Sequence, residues 1–308
     1  MYTFVVIGCE RDLDMLELQA QSMSLYLPKG QEIILIINED DPQKFLKGFS
    51  KFGHYYDNFN LMIVKKDHFN LVGGQPYVNQ QILKLAAAKL TDNHLLVLDC
   101  QNFMCKPYAE LPVFDDKVPY RHGPYVMDEN IWLQYCKKLN HNVPVNAHNM
   151  CISTPLYMHN KVIKNLINTY DGVNNFTLWF YGATQSKSEF VLYQQWCEKN
   201  RGIQHYHYLE SDFYDWAGPY LRDDPNFNEV FDQYLTDLQE RIEYNGIPDS
   251  DLVIRDYKRK WCWTSVNHRA WGDMTDEQFE RLTDKLKEVK LNTNSLINYR
   301  NNYVHIPI

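Results

Sequence analysis

A chain of 308 residues with 44% hydrophobic side chains can bury a large core in one domain or two. Its formal net charge of −8, with no Lys/Arg run, argues against nucleic-acid binding, and no apolar stretch of about 18 residues is present to span a membrane. Seven cysteines without a Cys-x-x-Cys pair, and an opening segment unlike a signal peptide, point to buried thiols and a cytoplasmic protein.

Thr3 to Gly8 reads as a first strand, β-branched and aromatic and closed by glycine. Cys9-Glu10-Arg11-Asp12 follows, then a helix from about Leu13 to Leu27 with Leu16, Ala20, Met23 and Leu27 near helical spacing, stopped by Pro28-Lys29-Gly30. Glu32 to Ile37 is a second buried strand that ends at Asn38-Glu39-Asp40-Asp41. Acids at that place suit the cap of a helix beginning near Pro42 as well as they suit a ligand. Leu61 to Val64 is a third strand, and the strand, helix, strand order is that of a doubly wound nucleotide-binding sheet.

The stretch from Tyr77 to Pro107 carries most of the functional signal. Its helix is apolar nearly all round between Ile82 and Leu90, with Gln80, Gln81 and Lys84 as polar exceptions. Gln80 and Lys84 are four residues apart and share a face, and a lysine on a buried helix must reach solvent or an anion. Leu95 to Leu98 is a short apolar run of the kind found in the centre of a parallel sheet, and it ends abruptly at Asp99. Ligands of open α/β sheets bind outside the carboxyl ends of the strands, so Asp99 is a candidate contact by position.

The helix with Gln80, Gln81 and Lys84, the strand ending Asp99-Cys100-Gln101, and the later Ser188-Glu189-Phe190-Val191-Leu192-Tyr193 together resemble the nucleotide-sugar glycosyltransferases of the GT-A fold. Within that superfamily they are most similar to a sparsely characterised bacterial and phage group. The resemblance covers roughly the first two-thirds of the chain, and its specificity lies in the combination of motifs. It implies an α/β, GT-A-like (Rossmann-like) mixed sheet flanked by helices over residues 1–215, with a helical C-terminal extension over 216–308. It also implies a nucleotide-sugar donor, whose base and ribose meet Glu10, Arg11, Asn38 and Asp40 and whose diphosphate meets Gln80, Gln81, Lys84, Asp99 and Gln101.

Where the family pattern has Asp-x-Asp, this chain has Asp99-Cys100-Gln101. A glutamine carbonyl can coordinate Mn²⁺ or Mg²⁺ but brings no charge, so the resemblance implies a divalent metal held weakly, or none. His268, in the basic and aromatic segment from Tyr257 to Asp273, is the residue that would complete the ligand set. His148, at the start of a strand read over residues 147–153, is a candidate acceptor-side or acid/base residue, or else a buried histidine at a strand end. Glu189 stands where inverting GT-A enzymes place a general base, although an acid in a first helical turn has an ordinary electrostatic reason to be there. His205 to Tyr208 alternate as in an edge strand, which would set His205 and His207 on one face. From about Trp216 the chain is helical and charged, with a clearly amphipathic helix over Thr275 to Lys290. The expected activity is sugar transfer to an unknown acceptor. The alternatives are a binding protein on a degenerated transferase scaffold, for which Gln101 argues, and a nucleotidyltransferase.

Overall fold

The computed structural model describes residues 2–71, 74–107, 113, 115–120, 129–139, 154–182, 188–209, 227–243, 263–265 and 274–303. Strands β1 (Tyr2–Gly8), β2 (Glu32–Ile37) and β3 (Asn60–Lys65) alternate with helices α1 (Leu13–Tyr26) and α2 (Gln43–Phe49). Helix α3 (Pro76–Ala86) then leads through a short 3₁₀ turn to β4 (His94–Leu98). The sheet order is β3-β2-β1-β4-β7, where β7 is Leu156–Met158. The first four strands are parallel and β7 runs antiparallel to β4. This is the mixed, helix-flanked sheet that the resemblance to GT-A enzymes implies.

The order reverses direction between β1 and β4, because β2 and β3 lie on one side of β1 and β4 on the other. Such a switch point leaves a crevice at the carboxyl ends of the strands. β1, β2 and β4 are buried on both faces, which is why they read as continuous apolar runs. Period-two alternation divides their side chains between two cores. Phe4, Val6, Leu35, Leu96 and Leu98 face α1 and α2, while Val5, Ile7, Ile34, Leu95 and Val97 face α3.

The second core is completed by α4 (Glu129–Lys138), α5 (Asn160–Asn168), α6 (Val173–Gly182) and α7 (Glu189–Asn200). The first is closed by the C-terminal helices α9 (Phe227–Glu243), α10 (Asp276–Glu288) and α11 (Asn294–Tyr303), which bury Phe231, Leu238, Leu282, Leu286 and Leu296 in it. α10 starts at a capping box in which the Thr275 hydroxyl accepts from the Gln278 N–H and the Gln278 amide oxygen accepts from the Thr275 N–H. Two small pairings flank the sheet. β5 (Asn102–Met104) pairs antiparallel with β9 (Trp263–Ser265), and β6 (Val118–Tyr120) pairs parallel with β8 (His207–Leu209).

The β8 pairing corrects one expectation. His205 lies in a single helical turn, α8 (Ile203–Tyr206), and only His207 enters the strand, so the two histidines do not share a sheet face. His207 is buried, its Nδ1 donating to the Pro119 carbonyl at 3.0 Å and its Nε2 accepting from the Tyr193 hydroxyl at 2.7 Å, whereas His205 is exposed beside Arg201. Among the described residues no helix is long and apolar enough to cross a membrane, and the five described cysteines are free thiols.

Candidate active site

Asp99 leaves the sheet directly after β4, and three buried or part-buried partners hold it. Its N–H donates to Asn102 Oδ1 at 2.7 Å, its carbonyl accepts from Gln19 Nε2 at 2.8 Å, and the Thr154 hydroxyl donates to its Oδ2 at 2.7 Å. Gln19 also donates to the Asn102 carbonyl at 2.7 Å, which ties the turn to α1. Asn102 is fully buried. Replacing it with alanine strands the Asp99 N–H and is expected to cost about 1–3 kcal/mol in urea denaturation. A change under about 0.5 kcal/mol, the range of an ordinary surface substitution, would show that the turn stands without it.

Lys84 reaches Asp99 from α3. Its Nζ lies 2.9 Å from Asp99 Oδ1 and 3.0 Å from Glu189 Oε1, and 4.9 Å from the centre of the Phe190 ring. The side chains of Lys84 and Glu189 are only 6% and 4% exposed, so this is a buried ion triad. Burial alone would push the lysine pKa down. The two carboxylates outweigh it and hold the pKa well above the ordinary lysine value, so the ammonium is charged. Glu189 is the first residue of α7, whose N-cap Ser188 accepts from the Val191 N–H at 3.3 Å. One cation therefore joins the end of β4 to the start of α7.

Beside the triad, a cleft of about 450 Å³ opens at the ends of β1 and β2. Gly8, Glu10, Arg11, Asn38, Glu39 and Gln80 are among its walls. Gly8 lies in the floor, and a Cβ there would stand 3.2 Å from the Phe45 ring buried in the core beneath it. Asn38 donates through Nδ2 to the Pro76 carbonyl at 2.8 Å, and its buried Oδ1 has no partner among the described residues. That oxygen is an acceptor held ready for a ligand N–H. Glu39 Oε1 accepts from the Glu10 N–H at 2.8 Å, which fixes the rim.

The cleft thus gathers Glu10, Arg11, Asn38 and Gln80, and the triad gathers Lys84, Asp99 and Glu189. Gln101 follows Asp99 by two residues and is half-buried, while Gln81 is buried on α3. Asp40 is not among the cleft residues; it pairs instead with buried Lys66 at 2.7 Å. His148 and His268 lie outside the described residues. Thr154, Asn102 and Gln19, which position Asp99, carry no local sequence signal, since Thr154 and Gln19 are far from Asp99 along the chain.

A divalent ion suits this end of the cleft in charge. The surroundings are acidic, with Glu10, Asp12, Glu39, Asp99 and Glu189 against Arg11 and Lys84. Lys84 and Thr154 take one lone pair on each oxygen of Asp99, and an ionised carboxylate offers about four in all. A second group meets the spacing for a metal: the ligand atoms of His94, Asp116 and His159 lie within 4.8 Å of one another. It stands at the opposite end of β4 from Asp99. His94 Nδ1 accepts from the Asn160 N–H at 3.2 Å, so its proton is on Nε2, and His159 Nε2 faces the Asp116 carbonyl at 2.8 Å, which can only accept. With both ring nitrogens protonated toward Asp116, this is a hydrogen-bonded cluster rather than a preformed metal site.

Residues 4–234 match the profile of a family of unknown function, DUF6492. The chain belongs to that family. No curated protein matches this DUF6492 member in sequence. In three dimensions it is similar to an active-site mutant of LgtC, with a TM-score of 0.52 at 10% identity over 96% of this chain and 99% of that one. It is equally similar to WbbM, a bifunctional glycosyltransferase, with a TM-score of 0.52 at 11% identity over 97% of this chain but only 51% of WbbM. A second LgtC structure, described as a galactosyltransferase with donor and acceptor sugar analogues, matches at 10% identity with a TM-score of 0.49. At these identities the likeness is one of fold, and the fold of this DUF6492 chain is that of the GT-A glycosyltransferases.

Proposed function

We propose that the protein is a glycosyltransferase that moves a sugar from a nucleoside diphosphate to an acceptor hydroxyl. The observation that carries this reading is the buried triad of Lys84, Asp99 and Glu189 at the end of β4, beside an open cleft at the ends of β1 and β2. The cleft takes the nucleoside, with Asn38 Oδ1 accepting from the base and Arg11 and Gln80 along its length. Lys84 stabilises the negative charge that grows on the diphosphate as the bond from the anomeric carbon to the phosphate oxygen breaks. Glu189, held through Oε1, takes the proton of the acceptor hydroxyl as its oxygen bonds to that carbon. The electron pair of the broken bond departs with the nucleoside diphosphate.

A divalent ion, when bound, would supply further positive charge at the diphosphate. Asp99 and Gln101 would hold it, with His268 assigned as third ligand on the family resemblance. His148 is assigned to the acceptor side on its place in the sequence pattern. The test is a thermal shift with a panel of nucleoside diphosphates and nucleotide sugars, with and without Mn²⁺, on the wild type and Asp99→Ala. One donor is expected to raise the melting temperature, by the equivalent of about 2.7 kcal/mol at a hundredfold excess over Kd, and the mutant to lose the effect. If no nucleotide shifts the wild type under either condition, the transferase reading gives way to a binding scaffold.

A further inference from the structure

The two edges of the sheet differ. β7 is three residues long and wholly buried, with β6 packed beside it. β3, at the other edge, runs for six residues and among the described residues pairs with β2 alone. Its register with β2 is unbroken from Asn60 to Lys65, with no bulge and no proline. The middle of β3 is also open on both faces. Period-two alternation, with Leu61 opposite Ile33 and Ile63 opposite Leu35, sets those two on the face of α1 and α2, while Met62 and Val64 lie on the face of α3. Met62 is 42% exposed and Ile63 40%, whereas every residue of β1 and β4 is buried. Soluble proteins guard such edges with charges, proline, bulges or a covering element, because the outward N–H and C=O groups are a template for another strand. Here the one charge is Lys65, at the strand's end.

The strand that fits this edge is β3 of a second copy. A two-fold axis perpendicular to the sheet lays a strand antiparallel to itself, continues the sheet and keeps each face with its like. Facing residues must then share a face, so the register is centred on a residue and not between two. Centred on Met62, it sets Met62 against its own mate and Leu61 against Ile63 of the second copy, and Lys65 falls past the strand end, level with Phe59. The two Lys65 charges then stand about 20 Å apart along the ribbon, beyond the reach of screened repulsion. Centred on Ile63, it would bring Lys65 against apolar Leu61 and the like charges to about 13 Å. Apolar pairing and charge thus favour the first register. We propose that the protein is a two-fold dimer joined edge to edge through β3, with Met62 at the axis. The strands of the two copies run in opposite directions, so their clefts open at opposite ends of the joined sheet. The dimer stands whether or not the chain transfers sugar.

Analytical ultracentrifugation would compare the wild type, Met62→Lys, Met62→Glu and an equal mixture of the two variants, between about 1 and 100 µM. The wild type is expected to dimerise in the micromolar range, as suits a small interface. Each variant sets two like charges directly opposite one another at the axis and is expected to dimerise at least about tenfold more weakly. The mixture, in which a lysine meets a glutamate, should regain the dimer, which neither misfolding nor a general change of surface charge would give. Both variants should melt close to the wild type, since the position is exposed. Hydrogen exchange gives a reading that needs no variant: the outward amides of β3 in the wild type should be protected at about 100 µM and open at about 1 µM. A wild type monomeric at the highest concentration, variants that dimerise as the wild type does, a mixture that stays monomeric, or β3 amides indifferent to concentration would each overturn the proposal. So would growth of the wild type beyond a dimer, because a two-fold contact closes.

Discussion

Lys84→Met is expected to destabilise the protein by about 3–5 kcal/mol at neutral pH and to abolish nucleotide-sugar binding. Methionine fills nearly the same volume, so the loss is electrostatic rather than a cavity. The two carboxylates now bridged by one nitrogen would face each other across no more than two hydrogen-bond lengths, in a site where Glu189 is 4% exposed. Like charges so placed cannot both stay ionised cheaply, and one takes up a proton. The variant should therefore recover part of the deficit as the pH is lowered from 7 to 5, because its native state gains a proton that the unfolded chain does not hold. Urea denaturation of both proteins at pH 7 and pH 5 checks this. A deficit under about 1 kcal/mol that ignores pH would mean that water, rather than Lys84, compensates the two acids.

Much of the scaffold was legible because burial on both faces leaves an unmistakable run. Val5-Val6-Ile7, Ile33 to Ile37 and Leu95 to Leu98 are central strands of a largely parallel sheet, and such strands need no alternation. Asp99 was legible by position alone, as the first carboxylate past a buried strand. Its fixation was not, since Gln19 and Thr154 come from an early helix and a distant strand entry, and local spacing cannot announce such contacts. Lys84 and Gln80 share a face by spacing, yet Gln80 lines the cleft while Lys84 turns to Asp99 and Glu189. That division is set by where α7 begins, which is tertiary information. The histidine pair failed for a similar reason. Alternation over His205 to Tyr208 suits a strand, but β8 takes its first residue at His207, where pairing with β6 starts, and a helical turn claims His205.

Acid should unfold the protein over a window set by its buried histidines. His207 is fully surrounded, and burial, with the nearby imidazoles of His159 and His94, pushes its pKa down to about 3. His159 is pushed down to about 4, by burial first and then by His94. In both, the native pKa lies below the ordinary histidine value of about 6.5, so below that pH the unfolded chain binds more protons than the native one. Stability is therefore complete above about pH 6.5 and is lost as the pH falls toward 4, by up to roughly 3 kcal/mol for each residue. Around this pair Asp116 offers compensation, but Lys161 already occupies it, and burial lowers the pKa of His94 as well. His207 cannot take a proton without reversing a bond, because its Nε2 accepts from the Tyr193 hydroxyl, which itself accepts from the His159 N–H at 2.7 Å. Denaturation at pH 7, 5.5 and 4 should show the fall, and His207→Gln should flatten it even if its own baseline is lower. A wild-type stability unchanged between pH 7 and 4 would refute the account. The consequence reaches the candidate site through α7: Tyr193 lies one turn after Glu189 on that helix. Protonating His207 thus loosens the seat of the helix that presents Glu189 to Lys84, and ligand binding at the triad should weaken in the same pH window, before the chain unfolds.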